Sequence, residues 1–223
     1  MLNLVARNRV LMLLAVMAAA CLALGFAAPG YLSAATASVI LSNSLVLLLI
    51  SLGTMLVILT RNIDVSSGSI LGLSAATLGL SLNAGASLPL AIALCILTGV
   101  VAGAVNGLLV AYLRIPSIVA TLGTLGLYRG IMLIQTGGRW IEDLPQGLKA
   151  LAGGIGFGVS ILTVTVLALF ALAWIFLRRT RFGRYFYAVG DNRDAAHHLG
   201  VPVRRVQFTA FVASGACAAI AGL

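Results

Sequence analysis

The chain has 223 residues, 61% of them hydrophobic and only 9% charged, with a mean hydropathy of +1.12. Soluble domains carry charge at about a quarter of their positions, so a soluble globular protein is excluded. The net charge of +9 comes from 14 basic and 5 acidic residues, and the one lysine, Lys149, lies between Leu148 and Ala150; a P-loop needs its lysine between a glycine and a Ser or Thr, so this chain does not hydrolyse ATP alone.

Against a crossing length of about 20 residues, the sequence reads as an all-α, polytopic integral membrane helix bundle with six complete spans plus the start of a seventh. Residues 10–28 are uncharged behind Arg7 and Arg9. A signal peptide cut near Ala27 or Ala37 is the other reading, but the run exceeds the usual apolar core of about 7–15 residues and more membrane sequence follows. Pro29 and Gly30 break it, and 38–60 forms span two. Residues 65–113 lack charge throughout; the turn-forming Asn83–Pro89 stretch divides them into spans 65–82 and 88–113. Pro116 suits the first turn of span five, 117–136, because the amide it lacks would be unpaired there. Arg129 lies within that span, at a cost of about 2.5–3.5 kcal/mol at mid-membrane and less near an end. A polar loop follows, with Arg139, Glu142, Asp143, Lys149 and Trp140, whose ring suits a headgroup boundary. Gly153–Gly158 has neither the spacing nor the preceding strand of a nucleotide fingerprint and reads as a loop entering span six, 155–177. Residues 178–205 are the longest polar segment, and 206–223 begin a seventh span.

A cytoplasmic N-terminus places Arg7, Arg9, Arg61, Arg114 and the arginines from Arg178 to Arg205 inside, leaving Arg139 and Lys149 outside. The positive-inside rule selects that orientation. His197 and His198 are adjacent, and Cys21, Cys95 and Cys217 lie far apart in apolar stretches, so neither a metal site nor a disulfide framework reads out. The cysteines read as small buried apolar residues. Gly99, Gly103 and Gly107 form a stripe that lets a second helix backbone approach closely, and Gly68, Gly72 and Ala76 repeat the pattern.

Two polar constellations stand out. In Thr60–Ser69, Asp64, Ser66 or Ser67 suits a helix cap, with Arg61 able to pair with Asp64; equally, the segment reads as a helix break lining a pathway, tolerated only beside water or protein. In Arg181–Pro202, Asp191 or Asn192 as N-cap and Gly200 and Pro202 as stop signals bracket a short helix from Arg193 to Leu199. Ala195, Ala196 and Leu199 would share one small apolar face, resting on anionic lipid or received by a partner protein.

The run Phe182-Gly183-Arg184, Ala188-Val189-Gly190, Asn192, Ala195-Ala196 and Gly200 resembles the cytoplasmic coupling segment of bacterial ABC importer permeases of the ribose and related sugar type. Asn62–Ser66, followed by Gly68 and Ser69, resembles the family's second signature. Leu59–Ser66, Ile118–Met132 and Gly137–Glu142 look most like the autoinducer-2-importing members, and the likeness covers almost the whole chain. The resemblance implies a translocation subunit of the bacterial inner membrane, without catalytic residues or cofactor. Its implied partners are cytoplasmic ATPase subunits, a second homologous permease and a periplasmic substrate-binding protein; its cargo is autoinducer-2, and nucleic acid is no partner. Gly183, Arg184, Gly190, Asp191, Asn192, Ala195, Ala196 and Gly200 would then couple to the ATPase, and Asn62, Asp64 and Ser66 would lie on the translocation pathway. Ribose, rhamnose or another monosaccharide is the alternative cargo. Family members carry further spans, so a C-terminally truncated permease is expected, with a non-transporting remnant as a further reading. An ion-coupled secondary transporter would place acids deep in spans, where Asp64 is the one candidate.

Overall fold

The computed structural model describes residues 9–28, 30–142, 148 and 161–223. The readings placed on Arg7, Pro29, Asp143, Lys149, Gly153–Gly158 and the first six residues of the run 155–177 lie outside the described residues. Among those described, every regular element is helical.

The chain forms two compact units, Met1–Ser44 and Leu45–Leu223. In the first, α1 (Arg9–Ala27) is apolar around its whole circumference and exposed along nearly all its length, the pattern of a helix solvated by lipid. Gly30 turns the chain at φ +92°, and Ser33 Oγ accepts the Thr36 amide at 3.2 Å to start α2 (Ala34–Ile58).

The second unit holds the rest of α2, then α3 (Ser67–Asn83) and α4 (Leu88–Gly107), which continues through a π-helical turn at Leu108–Tyr112. There follow α5 (Ser117–Thr136), α6 (Ile161–Arg179), α7 (Arg181–Asp191), α8 (Arg193–His198) and α9 (Val203–Ala221). The core is α9, which packs most extensively along α4 and also against α3, and α5 packs on α3.

Glycines set that packing. A Cβ at Gly99 would overlap the Gly215 carbonyl and Ala219, one at Gly103 would overlap the Phe211 carbonyl, and one at Gly107 would stand 2.9 Å from the Phe208 ring. The stripe on α4 is therefore a backbone-to-backbone seam with α9, where dispersion rather than the hydrophobic effect holds helices together. The stripe on α3 behaves differently. Gly68 faces open space and Gly72 meets only Met132 Sδ, so no second backbone comes close there.

Five helices among the described residues are long and apolar enough to cross a bilayer: Val10–Ala27, Ala34–Ile58, Leu88–Tyr112, Ser117–Thr136 and Ile161–Arg179. The expected count of spans was larger by α3 and α9. Physically, these are the interior helices: α3 has only 17 residues, and α9 opens on Arg204, Arg205 and Gln207 and buries 11 of its 19 residues against its neighbours. A helix shielded by protein need not be uniformly apolar.

α5 turns its polar side inward. Thr121, Thr124 and Tyr128 are buried while Ile118, Val119, Leu122 and Leu127 are exposed, the reverse of a soluble amphipathic helix and the arrangement a hydrocarbon solvent favours.

Candidate functional site: a buried crossover and an exposed helical hairpin

Between α2 and α3 the chain leaves the helix while still inside the protein. Arg61 adopts φ +57° and its amide bonds the Ile58 carbonyl at 2.9 Å, closing α2 in a left-handed cap. From there burial alternates: Asn62, Asp64 and Ser66 are buried, whereas Arg61, Ile63 and Val65 are exposed, the period of an extended chain. Such backbone needs partners in a membrane. α5 supplies them from two hydroxyls one turn apart: Ser117 Oγ accepts the Ile63 amide at 3.1 Å, and Thr121 Oγ1 accepts the Val65 amide while approaching the Ile63 carbonyl, both at 3.3 Å.

Asp64 is the acceptor on which the site converges. Its Oδ1 takes the Ser66 amide at 3.0 Å and the Ser66 hydroxyl at 2.7 Å, and its Oδ2 takes the Ser214 hydroxyl of α9 at 2.8 Å. Ser66 Oγ in turn accepts Asn106 Nδ2 of α4 at 2.7 Å. Tyr128 of α5 donates to the Ala102 carbonyl at 2.9 Å and reaches Asn106 Oδ1 at 3.4 Å. The carboxylate thus takes donors from the start of α3 and from α9, and Asn106 of α4 joins the network through Ser66. Arg61, exposed on the other side of the chain, takes no part, and the surface ion pair considered from sequence gives way to these hydroxyls. The network is satisfied, a condition under which buried polar groups rigidify a fold rather than weaken it.

The second site is a hairpin of short helices. Thr180 caps α7 by accepting the Gly183 amide at 2.9 Å. A Cβ on Gly183 would overlap the Phe176 carbonyl at the end of α6, and one on Gly190 would overlap the Leu59 carbonyl just beyond α2. The two glycines thus seat α7 directly on two helix ends. Phe186 and Val189 are buried beneath it, with Phe176 and Phe186 edge to face at 5.8 Å. Asn192 Oδ1 caps α8 by accepting the amides of Asp194 and Ala195 at 3.1 and 3.0 Å. Gly200 ends it at φ +79°.

The expected single apolar face on α8 divides in two. Ala196 turns inward to pack with Val201, Val203 and Val206, while Ala195 is exposed and Leu199 is 84% exposed. Arg184, Asp191 and Asn192 also face outward. The polar segment 178–205 was expected to hold one short helix, Arg193–Leu199, and α7 is a second; the inward spacing of Gly183, Phe186 and Val189 is the signal that marks it. Asn106, Ser117, Thr121, Tyr128 and Ser214 were missed as well, although isolated polar residues inside apolar runs are themselves a marker.

No group of three His, Cys, Asp or Glu side chains that could hold a metal occurs among the described residues. The three cysteines are free, and Cys21 is exposed rather than buried.

The described residues thus form a polytopic helical fold with a pinned break and an exposed, glycine-seated hairpin. Residues 36–223 match the family described as the permease component of the branched-chain amino acid transport system, and the chain belongs to that family. It is similar to the autoinducer 2 import system permease protein LsrC of Escherichia coli O9:H4 strain HS, with 52% identity over 200 residues, 89% of this chain and 58% of the relative. The protein of the same name from Enterobacter sp. strain 638 is 54% identical over 195 residues, covering 87% of this chain and 57% of the relative. That from Salmonella paratyphi B strain SPB7 is 51% identical over 194 residues, covering 86% and 56%. The chain thus spans somewhat more than half the length of these relatives. No solved structure matches it.

Proposed function

We propose that this chain is the membrane-spanning subunit of an ATP-driven importer for autoinducer-2, working in the bacterial inner membrane with its N-terminus in the cytoplasm. The observation that carries the reading is identity above 50% to autoinducer-2 permeases across nearly the whole chain. The excess of arginines on one side supports the orientation. With no P-loop lysine, energy must arrive from separate ATPase subunits. Gly183 and Gly190 hold the hairpin against the ends of α6 and α2, so force applied to the exposed α8 passes to two membrane helices with little slack. In this reading Gly183, Gly190, Ala196 and Gly200 shape the hairpin, whereas Arg184, Asp191, Asn192 and Ala195 face the ATPase. A second, homologous permease and a periplasmic substrate-binding protein complete the importer.

For the pathway, Asn62, Asp64 and Ser66 act as positioning residues. Asp64 and Ser66 spend their hydrogen bonds on α4 and α9, and Asn62 donates to Thr60 Oγ1 at 2.9 Å. They hold the helix break in place beside the route of the substrate.

The test is uptake by an autoinducer-2 permease in which residues 36–223 of this chain replace the aligned region, in cells lacking the native permease but retaining its ATPase and binding protein. Autoinducer-2 uptake without ribose uptake is the expected result. Insertion with uptake of ribose alone would transfer the chain to monosaccharide transport, and insertion with no uptake of either would overturn the importer reading.

A further inference from the structure

A cavity of about 670 Å³ opens where the apolar part of α4 ends and α9 begins. Arg114, Arg193, Arg204 and Arg205 stand on its wall, with His197 beside them and Asp194 as the one carboxylate on the lining. Four arginines against one acidic residue leave a strong excess of positive charge around a concave site. Arg114 reaches its place at a conformational cost: its φ is +60°, a left-handed geometry in which a non-glycine residue loses about 1–2 kcal/mol.

The surface leading into the cavity is equally specific. Leu97, Val101, Val105, Leu108 and Tyr112 are exposed along one side of α4, opposite the face that packs on α9, and Leu90 extends the same stripe. From Leu90 to Tyr112 the stripe spans about 33 Å at 1.5 Å per residue, close to the ~30 Å of bilayer hydrocarbon. Tyr112, at its end, lines the cavity and stacks edge to face on Phe208 at 6.0 Å. An apolar track one hydrocarbon layer long, ending in an arginine-walled cavity, is complementary to a molecule with acyl chains and a phosphate head.

We propose that this cavity binds the headgroup of an anionic phospholipid whose acyl chains lie along the exposed face of α4. Arginine forks suit bidentate contact with phosphate oxygens. The bound lipid fills the gap between the end of α4 and α8, bringing membrane composition into contact with the hairpin. The inference rests on the membrane reading and is independent of which substrate is carried.

The test uses the full chain in mild detergent, with bound lipids counted by native mass spectrometry during matched titrations of phosphatidylglycerol and phosphatidylcholine. Wild type is expected to retain phosphatidylglycerol preferentially, and each arginine removed in Arg114→Gln or Arg204→Gln/Arg205→Gln weakens that retention about fivefold. Arg139→Gln, which removes an exposed cation elsewhere, leaves it unchanged. Arg114→Gly separates folding from binding, because glycine relieves the left-handed geometry while removing the guanidinium; it raises the melting temperature and loses retention. Equal retention of the two lipids, or a preference that survives the arginine substitutions, would overturn the proposal. So would displacement of the lipid by millimolar inorganic phosphate, which would mark a site for free anions, or a lipid-free dimer, which would assign the face of α4 to a second copy.

Discussion

Asp64 shows how much a single residue can organise in a medium without water. It accepts bonds from an amide and two hydroxyls, one of them on a residue 150 positions away. Each buried donor left without an acceptor costs about 1–3 kcal/mol, so Asp64→Ala is expected to lower stability by roughly 3 kcal/mol or more. Asp64→Asn keeps one carbonyl oxygen for Ser66 and should lose less than half as much; thermal unfolding of the two variants in detergent checks the order, and equal losses would contradict the network. Arg61 offers the opposite sign. Held at φ +57° with its side chain exposed, it carries strain that glycine would relieve. Arg61→Gly is expected to raise stability by about 1 kcal/mol, read by the same melts, provided its charge contributes nothing to the fold.

At the scale of elements, the seam between α4 and α9 depends on backbones that touch. Gly103→Ala would push a methyl into the Phe211 carbonyl, and overpacking of this kind costs about 1–3 kcal/mol. Gly123 and Gly126 of α5 face open space, and alanine there should be neutral or slightly stabilising. Comparing the melting of Gly103→Ala with Gly123→Ala therefore distinguishes a seam from a general intolerance of substituted glycine. For the hairpin, Leu199 is the residue to change. Ala196 and Gly190 are packed inward, so bulky replacements there act through folding, whereas Leu199→Asp alters an exposed side chain alone. Association with the ATPase, followed by co-purification, should fall at least tenfold for Leu199→Asp while insertion and melting stay unchanged; undiminished association would place the docking surface elsewhere.

At the scale of the molecule, the arrangement of charge sets orientation. Trp140 is 92% exposed and Leu199 is 84% exposed, and they lie in segments of opposite expected side. With Cys21, Cys95 and Cys217 replaced by alanine, Trp140→Cys is expected to react with an impermeant thiol reagent from outside the cell and Leu199→Cys only after the membrane is opened. The reverse pattern would invert the topology, with the arginines of 178–205 outside. The exposed α4 stripe and the basic cavity belong to this scale too, since neither has meaning except against a bilayer with an apolar interior and charged faces.

The sequence by itself determined what is local: membrane residence, helical class, and the breaks between helices. Runs of about 20 residues without charge must span or line hydrocarbon, and Pro, Gly and Asn clusters interrupt helices through their own dihedral preferences. Thus α5 occupies Ser117–Thr136, bounded by Pro116 before it and Gly137 at φ +62° after it. Only the tertiary structure decided which faces meet. In lipid an apolar side chain gains little by turning inward, so hydrophobic periodicity, the usual guide to the core, is silent. The glycine stripes of α3 and α4 look alike in sequence, yet one forms a seam and the other does not. The buried Ala196 lies on α8 and the exposed Leu199 caps its end, three residues on, and only packing tells the two apart. Asp64 was legible as a polar residue at a break, but its partners Asn106 and Ser214 come from helices far along the chain. Long-range hydrogen bonds leave no local pattern, and they are what fixes this site.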